Sequence, residues 1–200
     1  MSETVEPEAA APNRRLGLIF VGLIVLAILM GVRWWYGTTV ALNQVFVVVS
    51  SPACTGTTIG AAEVGDVSVA APEVVPGMRC EVTVNVANPG TVPVTLSRVT
   101  APGLGPTSEL PVQAAEAEDR TPSAESGDDK DASYPVNERI EPGGFLDITI
   151  AYEFRDGGCL ADETYSAADW PTAQVTMSMR TKAVTADRAF ALRASDESAC

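Results

Sequence analysis

The feature that most constrains this chain is an unbroken apolar run from Leu16 to Val32. Charged and aromatic residues flank the run, namely Arg14 and Arg15 before it and Arg33, Trp34, Trp35 and Tyr36 after it. At a rise of about 1.5 Å per residue, the run and its aromatic collar are about 30 Å long, the thickness of the hydrocarbon layer of a bilayer. The sequence therefore predicts a transmembrane helix over residues 16–36, with the flanking residues at the membrane interface.

The two arginines before the helix predict its orientation. Basic residues are enriched on the cytoplasmic side of a membrane segment, so residues 1–15 are predicted to be a cytoplasmic tail. The acidic, Pro- and Ala-rich composition of this tail predicts that it is disordered. A cleaved signal peptide is the alternative, but the apolar run is longer than usual and no Ala-x-Ala site follows it. We therefore expect an uncleaved signal anchor.

The chain beyond the helix is predicted to form one acidic extracytoplasmic domain. Residues 37–44 have the composition of a short linker, and residues 45–200 are enough for a domain with its own core. Of the 13 basic and 26 acidic residues of the chain, three of each precede residue 37, so the net charge of −13 belongs to this domain. Such a charge disfavours binding to nucleic acids and to anionic lipid headgroups.

The absence of histidine excludes several kinds of chemistry. Catalytic pairs of serine or cysteine with histidine, histidine-ligated metals and imidazole pH switches are all ruled out. Arginine greatly outnumbers lysine, and alanine and valine are abundant, which is typical of a GC-rich bacterial genome. We therefore expect the protein in the plasma membrane of such a bacterium.

The four cysteines all follow the helix, and none belongs to a CxxC pair: Cys54, Cys80, Cys159 and Cys200. An even number of widely spaced cysteines on the oxidising side of a membrane predicts two disulfides. A four-thiolate zinc site is less favoured because such sites usually use closely spaced pairs. The residues themselves leave three disulfide pairings open.

Alternation of apolar and polar residues predicts β-strands. Val82, Val84 and Val86 share one face of a strand, and Asn88-Pro89-Gly90 leads into a return strand. The longest alternation has Leu146, Ile148, Ile150, Tyr152 and Phe154 on one face, and a later one has Val175, Met177 and Met179. About seven such strands and no helical stripe after residue 44 predict an all-β, seven-stranded antiparallel sandwich.

Residues from about 101 to 139 differ from the rest of the domain. They are rich in Pro, Gly, Ser and acids and contain few large apolar side chains. We therefore predict a long mobile acidic insertion. Asp128, Asp129 and Asp131 in it are candidate calcium ligands, but the EF-hand register fails because Tyr134 stands where glycine is needed. A solvated run of charge is the favoured interpretation, and we expect no bound metal.

Three segments carry a resemblance to a known architecture. Residues 75–90, 92–96 and 140–150 resemble the second, third and fifth strands of bacterial membrane-anchored fibronectin-III-like or adhesion-type immunoglobulin-like sandwiches, with no subfamily identified. The resemblance implies that Cys80 pairs with Cys159 and Cys54 with Cys200, because the strands that carry them are neighbours in that architecture. It also implies, by analogy, a role in binding or spacing.

No residue pattern in the domain specifies a reaction, so we expect no catalytic residues, no cofactor and no enzymatic activity. We therefore expect a single-pass envelope protein that presents a disulfide-stabilised immunoglobulin-like domain. It would act as an interaction module or an accessory subunit, with a protein partner in the envelope and no nucleic-acid partner. The alternative is a domain that binds calcium or a small ligand through the acidic insertion.

Overall fold

The computed structural model describes residues 14–117, 120–125, 128–168 and 170–200. The predicted disordered tail therefore lies almost entirely outside the described residues. The described residues form one helix and fourteen strands. In chain order they are α1 (Arg14–Gln44), β1 (Phe46–Val49), β2 (Ala53–Thr55), β3 (Ile59–Val64), β4 (Val67–Val74), β5 (Arg79–Asn88), β6 (Val94–Ala101), β7 (Val112–Ala115), β8 (Ser123–Glu125), β9 (Asp128–Ile140), β10 (Gly144–Phe154), β11 (Thr164–Ala167), β12 (Thr172–Met177), β13 (Arg180–Thr185) and β14 (Phe190–Ala194).

The chain divides into two compact units, one ending at Thr39 and the other covering Val40–Cys200. Residues 37–44, expected to form a linker, are instead the last part of α1. No proline interrupts them, and Ala41 and Leu42 are buried in the second unit, Leu42 within its main core. Burial of these two side chains favours continued helix over an extended linker.

The first sheet has the strand order β1-β5-β10-β7, with β2 also paired to β5. Its centre is the antiparallel ladder of β5 and β10, which runs from Gly144 opposite Asn88 to Glu153 opposite Arg79. The alternating residues of these strands face the core as predicted, and Val84, Val86, Ile148 and Ile150 are completely buried. Each such side chain contributes about 1.5–3 kcal/mol of hydrophobic stabilisation.

The second sheet has the order β13-β12-β6-β9-β8, and its inner residues share one core with the first. Seven strands occupy the positions of a constant-type immunoglobulin sandwich, in which strands A, B, E and D face C, F and G. They are β1, β5, β10 and β7 in one sheet and β6, β12 and β13 in the other. The immunoglobulin-like architecture is therefore present.

The expected count of seven antiparallel strands is wrong. The described residues contain twice as many, and a third sheet of order β11-β14-β4-β3 packs beside the sandwich. In this sheet β14 pairs with β4 in parallel, so that Arg193 lies opposite Glu73. Short runs such as β3 and β11 carry little alternation of large apolar residues, which is why sequence pattern alone did not reveal them.

The segment expected to be a mobile insertion contributes three strands instead. The longest, β9, pairs with β6 from Val94 opposite Ile140 to Ala101 opposite Ala132. Tyr134 on β9 is fully buried, and its hydroxyl lies 2.9 Å from the carbonyl oxygen of Ala151. Small residues such as alanine and serine form strands here because a neighbouring strand satisfies their backbone hydrogen bonds.

The expected disulfide pairing is wrong for both bridges. Cys54 pairs with Cys80, and Cys159 pairs with Cys200, with Cα atoms 4.0 Å and 5.1 Å apart. The short strand β2 places Cys54 directly opposite Cys80. On the other side of β5, the residue opposite Cys80 is Tyr152, so Cys159 lies well past the reach of Cys80.

The C-terminal bridge is reinforced by backbone pairing. Leu160 and Ala199 form an isolated parallel bridge, and Cys200 N donates to the carbonyl oxygen of Leu160 at 2.9 Å. This pairing carries the last residues past the end of β10, where Cys159 is. Neither bridge could be deduced from strand order alone, because each depends on a short extra element.

The two ends of the sandwich are distinguished by where residues 40–45 join it. We call this the proximal end, and it consists of the residue ranges 40–48, 88–95, 138–147 and 176–182, which strand pairing brings together. Lys182 Nζ donates to Asn43 Oδ1 at 2.8 Å within it. The opposite end, which we call the distal end, contains both disulfides.

Met179 is not the core residue that its alternation with Met177 predicts. The strands β12 and β13 form a hairpin with Met177 opposite Arg180, so Ser178 and Met179 make a two-residue turn. Ser178 takes a positive φ of 56°, and Met179 is 89% exposed at the tip. The turn interrupts the strand one residue before the alternation ends.

Candidate functional site

A groove of about 560 Å³ lies between the first sheet and the third sheet. This volume is within the range of ligand-binding pockets. Its lining comes from distant parts of the chain: residues 49–52, Val64, residues 67–70, Val82, Tyr152, Ala168, Trp170 and residues 187–191. No single motif therefore encodes it.

One wall of the groove is a bulge between β1 and β2. The ladder with β5 stops where Val49 pairs with Val84 and resumes where Ala53 pairs with Glu81. Three residues, 50–52, thus span two residues of β5, which is the geometry of a β-bulge. Pro52 cannot donate to the ladder, and its position is one that bulges tolerate. The bulge opens the sheet edge beside Val82.

A hydroxyl replaces part of the missing ladder at this bulge. Thr83 N donates to Ser50 Oγ at 2.9 Å, and Ser50 N donates to the carbonyl oxygen of Thr83 at 2.9 Å. The bulge is therefore hydrogen-bonded rather than frayed. It gives the groove a fixed polar rim at Ser50 and Ser51, both of which are exposed.

Three buried aromatic residues form the floor of the groove. Trp170 and Phe190 stack with ring centroids 4.4 Å apart, and Tyr152 meets Phe190 edge-on at 5.5 Å. Trp170 Nε1 donates to the carbonyl oxygen of Pro102 at 3.2 Å, so the indole has its polar partner. Aromatic pairs in these arrangements are favourable beyond the area they bury, which makes the floor rigid.

The hydroxyl of Tyr152 is the exception on this floor. Tyr152 is fully buried, and its oxygen has no hydrogen-bond partner among the residues that the structure describes. Burying an unpaired hydroxyl costs about 1–3 kcal/mol. Desolvation raises the pKa of Tyr152, so the phenol stays protonated and can donate a hydrogen bond at neutral pH. The oxygen is closed off from solvent as well, so a ligand oxygen would pair with it only where the floor opens.

Among the described residues, the rim of the groove carries one of each charge sign, Arg188 and Asp187. Arg188 Nη1 donates to the carbonyl oxygen of Val49 at 3.0 Å, which ties one rim to the other. Asp187 precedes it and is exposed. With adjacent opposite charges and the rim serines, the groove has no strong preference for a charged ligand. It is suited to an uncharged, largely apolar group that brings a hydrogen-bond acceptor.

The candidate calcium ligands have other roles where they are described. Asp131 Oδ1 accepts a hydrogen bond from Gly103 N at 2.8 Å, and the carbonyl oxygen of Asp129 accepts one from Thr107 N at 3.1 Å. Asp128 begins β9, and its side chain lies outside the description. Within the described ranges, no group of three or more acidic or cysteine side chains is close enough to hold a metal ion.

Asp131 also affects a neighbouring tyrosine. Burial raises the pKa of Tyr165, and the negative charge of Asp131 raises it further. Tyr165 packs edge-on against Phe190 at 6.4 Å. The acidic segment thus lies behind the aromatic floor and supports the loop of residues 102–105.

The predicted membrane-interface residues all belong to α1. Among the described residues, this is the one helix long and apolar enough to cross a membrane, with a mean hydropathy of 2.3 over its best window. All large apolar side chains between Leu18 and Val32 are at least 45% exposed. Trp34, Trp35 and Tyr36 are exposed as well. Arg33 is exposed, and Arg14 and Arg15 form the first turn of the helix.

Sequence reasoning missed most of the groove. It placed Tyr152 on the apolar face of a strand, but nothing joined that residue to Trp170, Ser50 or Ala191. The interruption of a clear apolar strand by Ser50-Ser51-Pro52 is the one available signal, since a proline next to serines in a strand edge favours a bulge. Its partner across the groove, the β3–β4 hairpin, has no such signal.

Comparison with known proteins gives little beyond the fold. No family model matches the chain, and no curated protein matches it. The crystal structure of an uncharacterised protein from Nocardia farcinica, described as having an immunoglobulin-like fold, is similar to it. The match covers 70% of this chain and 97% of that one, with 15% identity and a TM-score of 0.36. At this level the likeness supports no inference about function, and the sandwich rests on the sheet order described above.

Proposed function

We propose that the protein is a single-pass envelope protein of a GC-rich bacterium, with its N-terminus in the cytoplasm. Its immunoglobulin-like domain is a non-enzymatic interaction module. The groove binds an apolar polypeptide segment of a protein partner in the envelope. The observation that carries this proposal is a groove with an aromatic floor and a polar rim, in which the buried Tyr152 hydroxyl has no partner among the described residues.

The shape of the groove supports a polypeptide segment as the occupant. The rim residues Ser51, Val67 and Arg188 are exposed, so a bound group would extend out of the groove rather than be enclosed by it. A main-chain carbonyl is an uncharged acceptor that suits the Tyr152 phenol. An apolar side chain beside it would cover the aromatic floor, as anchor residues do in protein interfaces.

The anchoring in a membrane is supported by α1. A helix of this hydropathy with exposed apolar side chains is stable in water only if something covers them. The two disulfides support an oxidising compartment for the domain that follows. Arg14 and Arg15 support the orientation with the N-terminus inside.

The absence of an enzymatic role is supported by composition. The chain has no histidine, and no serine lies in a nucleophile motif. Among the described residues that line the groove, one carries a carboxylate, Asp187, next to an arginine, and glycosidase chemistry needs two carboxylates across a cleft.

The proposal is tested by filling the groove in the full-length protein. Ser68 is exposed on the β3–β4 wall, so Ser68→Trp places an indole in the groove without disturbing the core. Ser123→Trp is the matched control, because Ser123 is exposed on the second sheet and does not line the groove. We expect mildly solubilised membranes to yield a partner with the wild type and with Ser123→Trp, and several-fold less of it with Ser68→Trp.

A photo-crosslinking residue identifies the occupant. With Ser51→p-benzoylphenylalanine, we expect an adduct of polypeptide mass that is absent when the same residue replaces Ser123. An adduct of small-molecule mass would show that the groove binds a soluble ligand and not a protein partner. Equal capture of a partner by the wild type, Ser68→Trp and Ser123→Trp would contradict a binding role for the groove. The absence of any crosslink from residue 51 would contradict it as well.

A further inference from the structure

Exposed large apolar side chains of the sandwich are concentrated at the proximal end. Among the described residues from Val40 onward, five of the seven such side chains lie there: Val40, Phe46, Val48, Phe145 and Met179. The other two, Ile59 and Val67, belong to the β3–β4 hairpin. Both exposed phenylalanines are proximal, so this end is unlike the rest of the surface.

The two phenylalanines form a row across the outer face of the first sheet. Phe46 and Phe145 are both paired with Ala87, one from each side. Their Cα atoms are thus about 10 Å apart, twice the spacing of adjacent strands. Ala87 between them is small, so neither ring is covered, and they remain 48% and 66% exposed. Met179 projects from the hairpin tip at the same end.

The charge of the domain is distributed unevenly between its ends. The proximal ranges contain three acidic residues (Glu138, Glu141 and Asp147) and three basic ones (Arg139, Arg180 and Lys182). The net charge of the proximal end is therefore zero. The whole net charge of −13 lies on the rest of the domain.

We propose that the proximal end of the sandwich docks on the outer surface of the bilayer, with Phe46, Phe145 and Met179 in the interfacial layer. This inference rests on the proposed membrane anchoring and adds a second contact to it. The net charge of the domain predicts repulsion from anionic headgroups, but the surface that would approach them is neutral. Aromatic rings at the headgroup level are favourable, and basic residues beside them attract anionic lipids.

The chain length between the helix collar and this surface is compatible with contact. Tyr36 and Gln44 belong to the same helix, and eight residues at about 1.5 Å each span about 12 Å. The headgroup region on one side of a bilayer is about 5–8 Å thick. The chain therefore holds the proximal end within about 4–7 Å of the headgroup layer.

A lipid surface fits this end better than a second protein does. Phe46, Val48 and Phe145 lie on strands of the first sheet, whereas Val40 lies on α1 and Met179 at a hairpin tip, so the apolar residues are divided among separate elements. Phe145 is followed at two residues by Asp147, whose carboxylate accepts a hydrogen bond from Asn85 Nδ2 at 2.7 Å. Aromatic rings beside polar groups suit the mixed environment of lipid headgroups.

The test uses the full-length protein in phosphatidylcholine nanodiscs, with p-benzoylphenylalanine introduced at one position at a time. Phe145 and Met179 are the test positions, and Ile59 and Val67 are control positions of similar exposure. Leu23 in α1 controls for insertion. After irradiation, we expect lipid adducts by mass spectrometry at Leu23, Phe145 and Met179, and several-fold fewer at Ile59 and Val67.

The outcomes separate the two proposals. Lipid adducts at Leu23 without adducts at Phe145 and Met179 would overturn the docking and leave the anchoring intact. Adducts at neither Leu23 nor the test positions would overturn both. Crosslinks from Phe145 to a second copy of the chain would show a protein contact in place of lipid and would also overturn the docking.

A change of lipid tests the role of charge. Replacing half of the phosphatidylcholine by phosphatidylglycerol should increase the adducts at Met179, which is next to Arg180. The increase should disappear in Lys182→Glu/Arg139→Glu, and the adducts at Leu23 should not change. A decrease with phosphatidylglycerol would mean that the domain's overall charge controls its approach, and the docking would be wrong.

Discussion

The two ends of the sandwich are held together in different ways. At the proximal end, the buried amide of Asn88 joins the β5–β6 and β9–β10 loops: its Nδ2 donates to the carbonyl oxygens of Val92 at 2.9 Å and Ile140 at 3.1 Å. Gly90 N donates back to its Oδ1 at 3.2 Å. At the distal end, two disulfides and the guanidinium of Arg155 do the same work.

Arg155 is the distal counterpart of Asn88. Its Nη1 donates to the carbonyl oxygens of Gly105 at 2.9 Å and Pro106 at 3.1 Å, and its Nε donates to that of Leu110 at 3.1 Å. Nη2 also bonds to the carbonyl oxygen of Ser108. One charged side chain thus holds the loop of residues 105–110 against the end of β10.

The two ends differ in their stabilising groups because the surfaces around them differ in charge. The net charge of −13 lies outside the proximal end, so a partly exposed guanidinium and the exposed cysteines of the Cys159–Cys200 bridge are tolerated at the distal end, where Cys80 of the other bridge is buried. The proximal end is neutral and carries exposed aromatic rings. An uncharged amide, completely buried, holds its loops without adding charge to the surface. The means of stabilisation is therefore matched to the polarity of each surface.

The largest expected effect tests whether the distal end depends on its covalent links. The bridge Cys54–Cys80 joins residues 26 positions apart in the sequence, and the bridge Cys159–Cys200 joins residues 41 positions apart. In the chain-entropy model they contribute about 3.5 and about 4 kcal/mol to the free energy of unfolding. We expect the double alanine variants to lose these amounts in urea unfolding. Losses below about 1 kcal/mol would mean that the loops, not the bridges, hold the distal end.

The proximal end should depend on Asn88 to a similar degree. Asn88→Ala leaves the carbonyl groups of Val92 and Ile140 without their donor, and we expect the free energy of unfolding to fall by about 2–3 kcal/mol. Asn85→Ala is the control, since Asn85 is partly exposed and bonds to an exposed carboxylate. It should cost less than about 0.5 kcal/mol. Equal losses of unfolding free energy in the two variants would show that Asn88 is not what holds the proximal loops.

Arg155→Lys tests whether the distal loop needs the forked geometry of arginine. Lysine keeps the positive charge but cannot reach several carbonyl groups at once, so we expect a loss of about 1–2 kcal/mol. Amide hydrogen exchange should become faster in residues 105–110 and stay unchanged near Asn88. Arg139→Lys, in an exposed ion pair with Glu141, should have no measurable effect.

Alkaline pH tests the buried tyrosines. Burial raises the pKa of Tyr134 and Tyr152 above the ordinary value of 10.0, so the folded state keeps protons that the unfolded state loses. Their contribution is fully present below pH 10 and is lost as the pH rises above it. We expect the free energy of unfolding to fall by about 1.4 kcal/mol per pH unit for each tyrosine. A flat profile above pH 10 would contradict their burial.

The smallest expected effect distinguishes the groove from the core. Tyr134→Phe removes a hydroxyl bonded to Ala151 and Ala115, and should lower the free energy of unfolding by about 1 kcal/mol. Tyr152→Phe removes a hydroxyl that has no partner among the described residues and should raise the free energy of unfolding by up to about 1 kcal/mol. Partner capture should weaken only in Tyr152→Phe. A loss of stability in Tyr152→Phe would show that this hydroxyl is structural.

Several elements could be predicted from the sequence because their signals are local. The apolar run of α1 and the alternation of Val82, Val84 and Val86 need no partner to be recognised. The faces of β5 and β10 were therefore predicted correctly. Local signals also misled, because the same alternation predicted Met179 as a core residue, and low apolar content predicted a mobile insertion over β9.

The sequence by itself determined a membrane-length helix, an immunoglobulin-like pair of sheets and an even number of cysteines for an oxidising compartment. Tertiary structure alone decided which cysteines meet, because β2 brings Cys54 opposite Cys80. It also decided the third sheet, the groove and the neutral proximal end. Each of these depends on contacts between residues far apart in the chain. Such contacts produce no periodic pattern of apolar residues, so they could not be predicted from the sequence.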